Sequence, residues 1–214
     1  VIGNVPFAKV TPHDPHHNRG RHALHNYFLL KSLHLVRPRG IVMALTSRFT
    51  LDARNAAARR EMASLADLVG AVRLPAGAFA RSSGTDVVVD LVVLRRRLPG
   101  DEPNGPAWEH AVPVDLPVEG SSASGGSALE ANEYFVAHPD QVLGNLTAAR
   151  GMYREHELTV VPNGDLDDQL PAALARVVAR STSNDLRFAA RSDPVRAIQP
   201  DEASVPQGHF DLRN

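Results

Sequence analysis

The sequence predicts an α/β fold with an antiparallel pair of strands at one sheet edge. Short apolar runs without alternation, Ile41–Leu45 and Leu68–Leu74, take turns with segments that carry a helical stripe. Pro, Gly or a capping residue marks each change of period. The last two strands of this half, Leu68–Leu74 and Asp86–Leu94, are separated by the loop PAGAFARSSGT with no helix between them, which suits an antiparallel pair.

In chain order, Val1–Asn4 reads as the end of a buried strand, and the chain as a segment of something longer. Residues 8–21, AKVTPHDPHHNRGR, mix Pro, Gly, Asn and His without periodicity and are expected to form a loop. A helix is expected from His22 to Val36, with Leu24, Tyr27, Phe28 and Lys31 on one stripe and Leu30, Leu33 and Val36 beside it. Arg37-Pro38-Arg39-Gly40 stops it, because Pro lacks the N–H that continues the ladder and Gly admits a left-handed turn. Ile41–Leu45 is then a central strand covered on both faces. Asp52 or Asn55 caps a second helix running to Leu65. The stretch Asp86–Leu94 is the most β-branched of the chain.

Residues 99–128 are rich in Pro, Gly and Ser and read as a flexible linker. After it come a brief helix at Ala131–Ala137, a strand at Leu158–Val161 and an amphipathic helix at Leu166–Ala179, with Leu166, Leu170, Leu174, Val177 and Val178 inward. Residues 181–214 have little apolar content and are expected to be extended or disordered. The organisation expected is therefore an α/β unit over 1–98, a linker over 99–128, a small α/β or helical accessory segment over 129–180, and a tail.

Composition narrows the function classes. The chain has 214 residues, 43% hydrophobic, enough for one or two domains. Without cysteine, disulfide scaffolds, zinc ribbons and thiol nucleophiles are excluded, which fits a cytoplasmic protein. No apolar run approaches the roughly 18 residues of a membrane span. The formal net charge of −1 hides a division, +9 over residues 1–100 and −10 over residues 101–214. A basic half suits a polyanion such as DNA, and equally a set of solvated helix faces.

The residues that carry chemistry are Asn4-Val5-Pro6-Phe7, directly after a strand. A carboxamide offers an acceptor oxygen, the Val5 carbonyl a second, and Phe7 a flat apolar face. Two acceptors and a stacking ring are what an exocyclic amine needs. They take its two N–H hydrogens and hold the nitrogen toward an electrophilic methyl group. Pro6 stiffens the turn, and positioning is most of such catalysis.

These residues, with the helix ending LVRPRG and the strand IVMALTS behind them, resemble the N6-adenine group of DNA amino-methyltransferases. That group has an Asn/Asp/Ser-Pro-Pro-Tyr/Phe motif at the end of the fourth strand of a Rossmann-like sheet. The resemblance implies that this chain holds the C-terminal half of such a sheet, with its antiparallel hairpin. Asn4 and the Val5 carbonyl would then bind the adenine amine, Pro6 would brace the turn, and Phe7 would stack on a flipped base. Val5 departs from the motif's first Pro, although a backbone acceptor does not require Pro. The string LVGAVRLPAGAFARSSGTDVVVDLVVLRRR resembles the later part of the same domain and puts Phe79 toward the target base. NEYFVAHPDQVLGNL and GMYREHELTVVPNGDLDDQL are similar to a narrower group, the large helicase–methyltransferase proteins of phages and plasmids, some of them antirestriction factors. In that group GNVPF with Val is the usual form.

The resemblance implies S-adenosyl-L-methionine as cofactor, DNA as partner and a helicase region in the same parent protein. The Gly-rich turn after the first strand and the ribose-binding acid, which hold the cofactor in this fold, have no counterpart here and are expected upstream. This chain alone is expected to be inactive. A non-catalytic DNA- or partner-binding module of an antirestriction protein is the alternative, and an inactive remnant a third.

Arg48, Arg59 and Arg60 are candidate phosphate contacts, and Arg95-Arg96-Arg97 forms a second basic cluster. His13, His16, His17, His22 and His25 with Asp14 invite a metal site, but their loop lacks a ligand pair of standard spacing, and a loop that lies along DNA phosphates or gates the target base is preferred. Asp165, Asp167 and Asp168 read as a helix N-terminus rather than a calcium loop.

Overall fold

The structure, a computed structural model, describes residues 1–8, 10–79, 87–118, 127–150 and 156–187. Its centre is a four-stranded mixed sheet in the order β1-β2-β4-β3, formed by β1 (Ile2–Asn4), β2 (Ile41–Ser47), β3 (Ala66–Leu74) and β4 (Val89–Arg96). β1 runs parallel to β2, whereas β4 is antiparallel to both β2 and β3. β1, β2 and β3 therefore point the same way, and their carboxyl ends, Asn4, Ser47 and Leu74, lie at one end of the sheet. The expected antiparallel pair is present, but only β3 is at the edge. β4 is inserted between the two strands that precede it.

One face of the sheet is covered by α1 (Leu24–Leu35) and α3 (Ala57–Leu65). Leu29, Leu30 and Leu33 of α1 and Met62 of α3 are buried against Val42, Ala44, Leu68 and Leu94. Burying each of these large side chains contributes about 1.5–3 kcal/mol. Of the residues expected inward on α1, Leu30 and Leu33 are buried, joined by Leu29, whereas Phe28 is exposed. The expected second helix is α3, with Asn55 Oδ1 accepting from the Ala57 N–H at 2.9 Å, and an unexpected single turn, α2 (Phe49–Asp52), precedes it.

The opposite face is covered by α5 (Leu166–Ser183), which packs over β3. Gly70 permits this approach, because a Cβ there would lie 2.9 Å from both methyl carbons of Val177. Asp165 caps α5 by accepting from the Asp167 N–H at 2.8 Å, as the acidic cluster predicted. Val177 is buried, but Val178, expected inward, is 64% exposed. Over β2 the cover is incomplete: Val42, Ala44 and Thr46 are buried while Ile41, Met43 and Leu45 are half-buried. The expectation of a strand covered on both faces is corrected accordingly. So is that of a buried β1. Ile2 is 83% exposed, since β1 has a strand partner on one side only among the described residues.

Of the region expected to be a linker, residues 119–126 lie outside the described residues, and the rest contains structure. Trp108 is buried in the main core, and β5 (Ala111–Leu116) pairs with β6 (Ser127–Asn132) in an antiparallel hairpin. A second hairpin, β7 (Asn145–Arg150) with β8 (His156–Val161), packs on the first around Leu116, Ala131, Ala148 and Leu158. Between them, α4 (Glu133–Ala137) is capped by Asn132 and buries Tyr134 and Phe135 in the main core. The accessory segment is thus built into the α/β unit. Of the expected tail, residues 181–183 finish α5 and Leu186 is buried; residues 188–214 lie outside the described residues.

Candidate functional site

Strand pairing decides where the motif side chains go. Asn4 is in register with Leu45, and Gly3 with Ala44. Alternation sends Val5 to the face of Ala44, where it is buried beneath α1, and Asn4 to the face of Leu45. The Val5 N–H donates to the Leu45 carbonyl at 3.0 Å. Pro6 has no N–H with which to extend the ladder, so pairing ends there. Among the described residues, no group donates to the Val5 carbonyl and the Asn4 carboxamide has no hydrogen-bond partner. Asn4 is exposed, and Phe7 is 43% exposed. An unspent carboxamide, an unspent carbonyl and a bare ring thus follow one another at a strand end.

The loop that leaves this turn is ordered by its own side chains. Asn18, buried, donates to the carbonyls of Pro12 and His22 and accepts from the His22 N–H. Asp14 accepts from the His16 and His17 backbones and from Tyr27 and Lys31. Burial would raise the Asp14 carboxyl, but these bonds outweigh it and hold the group well below the usual carboxylate range. Arg19 and Arg21 remain exposed on the loop, Arg21 with a positive φ of 53°.

Phe79 sits in the turn after β3, at the same end of the sheet as Asn4, and packs on the cluster that includes Leu45, Leu74 and Leu91. Asn4 and Phe79 therefore belong to one end and one face of the sheet. Arg48 follows β2 at that same end. Its guanidinium stacks on the Phe49 ring at 4.2 Å and lies 3.7 Å from Asp52, and burial lowers its proton affinity.

The remaining arginines divide. Arg60 is exposed on α3. Arg59 is 1% exposed and donates to the carbonyls of Glu109, Thr50 and Ala53, so it braces α2 against the segment before β5 and has no face left for a phosphate. Arg97 is likewise buried, donating to Asp67 at 2.7 Å and to the Ala63 carbonyl, and Arg95 is buried beside it. The second basic cluster is therefore largely structural.

A set of residues not anticipated from sequence lies beneath the site. Arg73 of β3 is fully buried and makes two 2.8 Å bonds to Asp90, its cross-strand neighbour, and one of 2.9 Å to Asp52. Its guanidinium also stacks on the Phe135 ring at 4.2 Å. Burial alone would lower the proton affinity of Arg73; the carboxylates of Asp52 and Asp90 reverse this and raise it. Asp52 further accepts from the Asn132 N–H at 2.9 Å, while the Asn132 carboxamide donates to the carbonyls of Leu51 and Trp108. One carboxylate thus links Arg48 at the sheet end, Arg73 in the core and the hairpin that ends at Asn132. Its sequence signal is a single charge inside an apolar strand, Arg73 in GAVRL and Asp90 in VVVDLVV.

No group of three or more His, Asp or Glu among the described residues is placed to hold a metal ion. The described helices include none long and apolar enough to cross a membrane. Two of the strand-to-helix turns among the described residues differ from a Gly-rich phosphate-binding turn. β2 enters α2 through Ser47-Arg48-Phe49 with no glycine. β8 enters α5 through Pro162-Asn163-Gly164-Asp165, where the Gln169 side chain fills the space beside the one glycine. Compared with known proteins, the sequence matches no family model and no curated protein.

Proposed function

We propose that this chain supplies the amine-binding half of a DNA adenine-N6 methyltransferase, as part of a longer protein that also holds the methyl donor. The observation that carries the reading is the end of β1, where two unspent acceptors and an exposed ring occur in consecutive order. The sheet order supports it too. A helix, a parallel neighbour and an antiparallel hairpin follow the motif strand, as in the C-terminal half of a Rossmann-like methyltransferase sheet. In this reading Asn4 Oδ1 and the Val5 carbonyl each accept one hydrogen of the adenine amine. That draws the nitrogen out of conjugation with the ring and leaves its lone pair for the incoming methyl group. Phe7 stacks on the extruded base, and Phe79 lies on the same face. Arg19, Arg21 and Arg60, all exposed, are among the cations available to DNA phosphates.

The test is Asn4→Ala in the full-length protein. Loss of one acceptor should lower methyl transfer by at least about 10²-fold, the usual scale of such a contact, with DNA affinity unchanged. Undiminished transfer overturns the reading. DNA binding without any transfer by the unaltered full-length protein would instead favour the non-catalytic module.

A further inference from the structure

The loop between the Asn4–Phe7 turn and α1 is fastened to the helical layer at three points. Asp14 is bonded to Tyr27 and Lys31 of α1, at 3.0 and 3.2 Å. His22 Nε2 lies 2.7 Å from Glu61 Oε2 of α3. Third, His17 Nδ1 lies 3.1 Å from His34 Nδ1 of α1, with the ring centroids 5.1 Å apart.

The third fastening has an unusual proton requirement. A neutral imidazole has one N–H and one lone pair, so two facing Nδ1 atoms are partners only if one carries hydrogen and the other does not. A neutral pair meets this condition, and so does a pair with one added proton, which goes to the donor ring's Nε2. A second proton puts hydrogen on both Nδ1 atoms and sets two cations in contact. The surroundings disfavour that state. Burial, then His17, Arg96 of β4 and Arg19 of the loop hold His34 below the ordinary histidine range, with Glu61 alone opposing. Glu61 is already in contact with His22, and Asp14, next to His17, is occupied by Tyr27 and Lys31.

We propose that the His17–His34 contact is an acid-released clasp, which opens on its second proton and loosens residues 15–19 where His17 meets α1, while Asp14 keeps its bonds to Tyr27 and Lys31. The other end of the loop stays, because protonating His22 strengthens its contact with Glu61, and the Leu24 N–H remains on the Val10 carbonyl. The device is a hinge that moves one segment in mild acid without unfolding the sheet, and it stands independently of the catalytic reading.

Two measurements on the intact chain test it. In a histidine NMR titration, the His34 ring should take its proton below the ordinary histidine value, and less far below it in His17→Phe. In hydrogen exchange corrected for intrinsic pH dependence, protection of the His16, His17 and Asn18 amides should fall at least ~10-fold from pH 7.5 to 5.0, the factor equivalent to one pH unit. Amides of Leu29–Leu33 should be unchanged. In His34→Phe the loop amides should be weakly protected at both pH values. Titration of His34 at the ordinary histidine value, or loop protection that does not change with pH, overturns the clasp. So does zinc that restores full protection at pH 5.0, which would mark the pair as a metal site.

Discussion

Arg73 carries a charge where no water reaches it, and three bonds to two carboxylates keep it there. Removing one partner of such a group costs more than the pair itself contributes, because the remaining charge is left without compensation. Asp90→Asn preserves shape and is expected to destabilise the fold by about 3 kcal/mol, read from urea denaturation. A loss below ~1 kcal/mol would mean that Asp52 alone suffices for Arg73. This network is illegible in the sequence, because a charge inside an apolar strand gives no indication of its partner until the register is known. The burial of Arg59 is illegible for a related reason. Ala56, Ala57 and Ala58 precede it, and a run of alanines does not tell which helix face is inward. Asn4, by contrast, was legible, since its spacing from a strand and a proline fixes which groups the ladder leaves unspent.

At the level of elements, α1, β2, β3, β4 and α5 all lie where their periodicity placed them, within a few residues. Their apolar spacing is long enough to outweigh local exceptions. The hairpin β5–β6 was missed because its strands lack strand chemistry: AVPVDL contains Pro113, and SALEAN has no β-branched residue. Pro is tolerated in a two-stranded ribbon, where every strand is an edge. α5 contains another misplaced proline. Pro171 is exposed in the sixth position of the helix, where it removes the bond to the Asp167 carbonyl. Pro171→Ala should restore that bond and raise stability by about 1–2 kcal/mol, after allowing for the entropy that Pro removes from the unfolded chain. An unchanged or lower denaturation midpoint would show that the helix accommodates Pro171 without loss.

Across the whole molecule, burial hardly alters the division of charge between the two halves. Arg59, Arg73, Arg95 and Arg97 are buried with Asp52, Asp67 and Asp90, which takes a net of one positive charge from the +9 of residues 1–100. Burial decides which cations a partner meets and leaves their excess nearly unchanged. Burial is also the leading cause that lowers His25, His34 and His138. In each case the folded state binds its proton less readily than the unfolded chain does. Their contribution is complete above the ordinary histidine value of about 6.5 and is lost as the pH falls through the lowered folded values. Asp14, lowered as well, adds to acid loss only below about 3.8. The urea midpoint is therefore expected to be lower at pH 5.0 than at pH 7.5. An equal or higher midpoint in acid would contradict this sign.

The insertion of β4 between β2 and β3 has a consequence for synthesis. A nascent chain that has emerged only as far as residue 88 holds two strands that never pair with each other in the finished sheet. Until Val89–Arg96 leaves the ribosome, both present open edges rich in Val and Leu, the kind of surface that recruits chaperones or other copies. Pausing translation just before this segment should therefore aggregate the product more than pausing just after it.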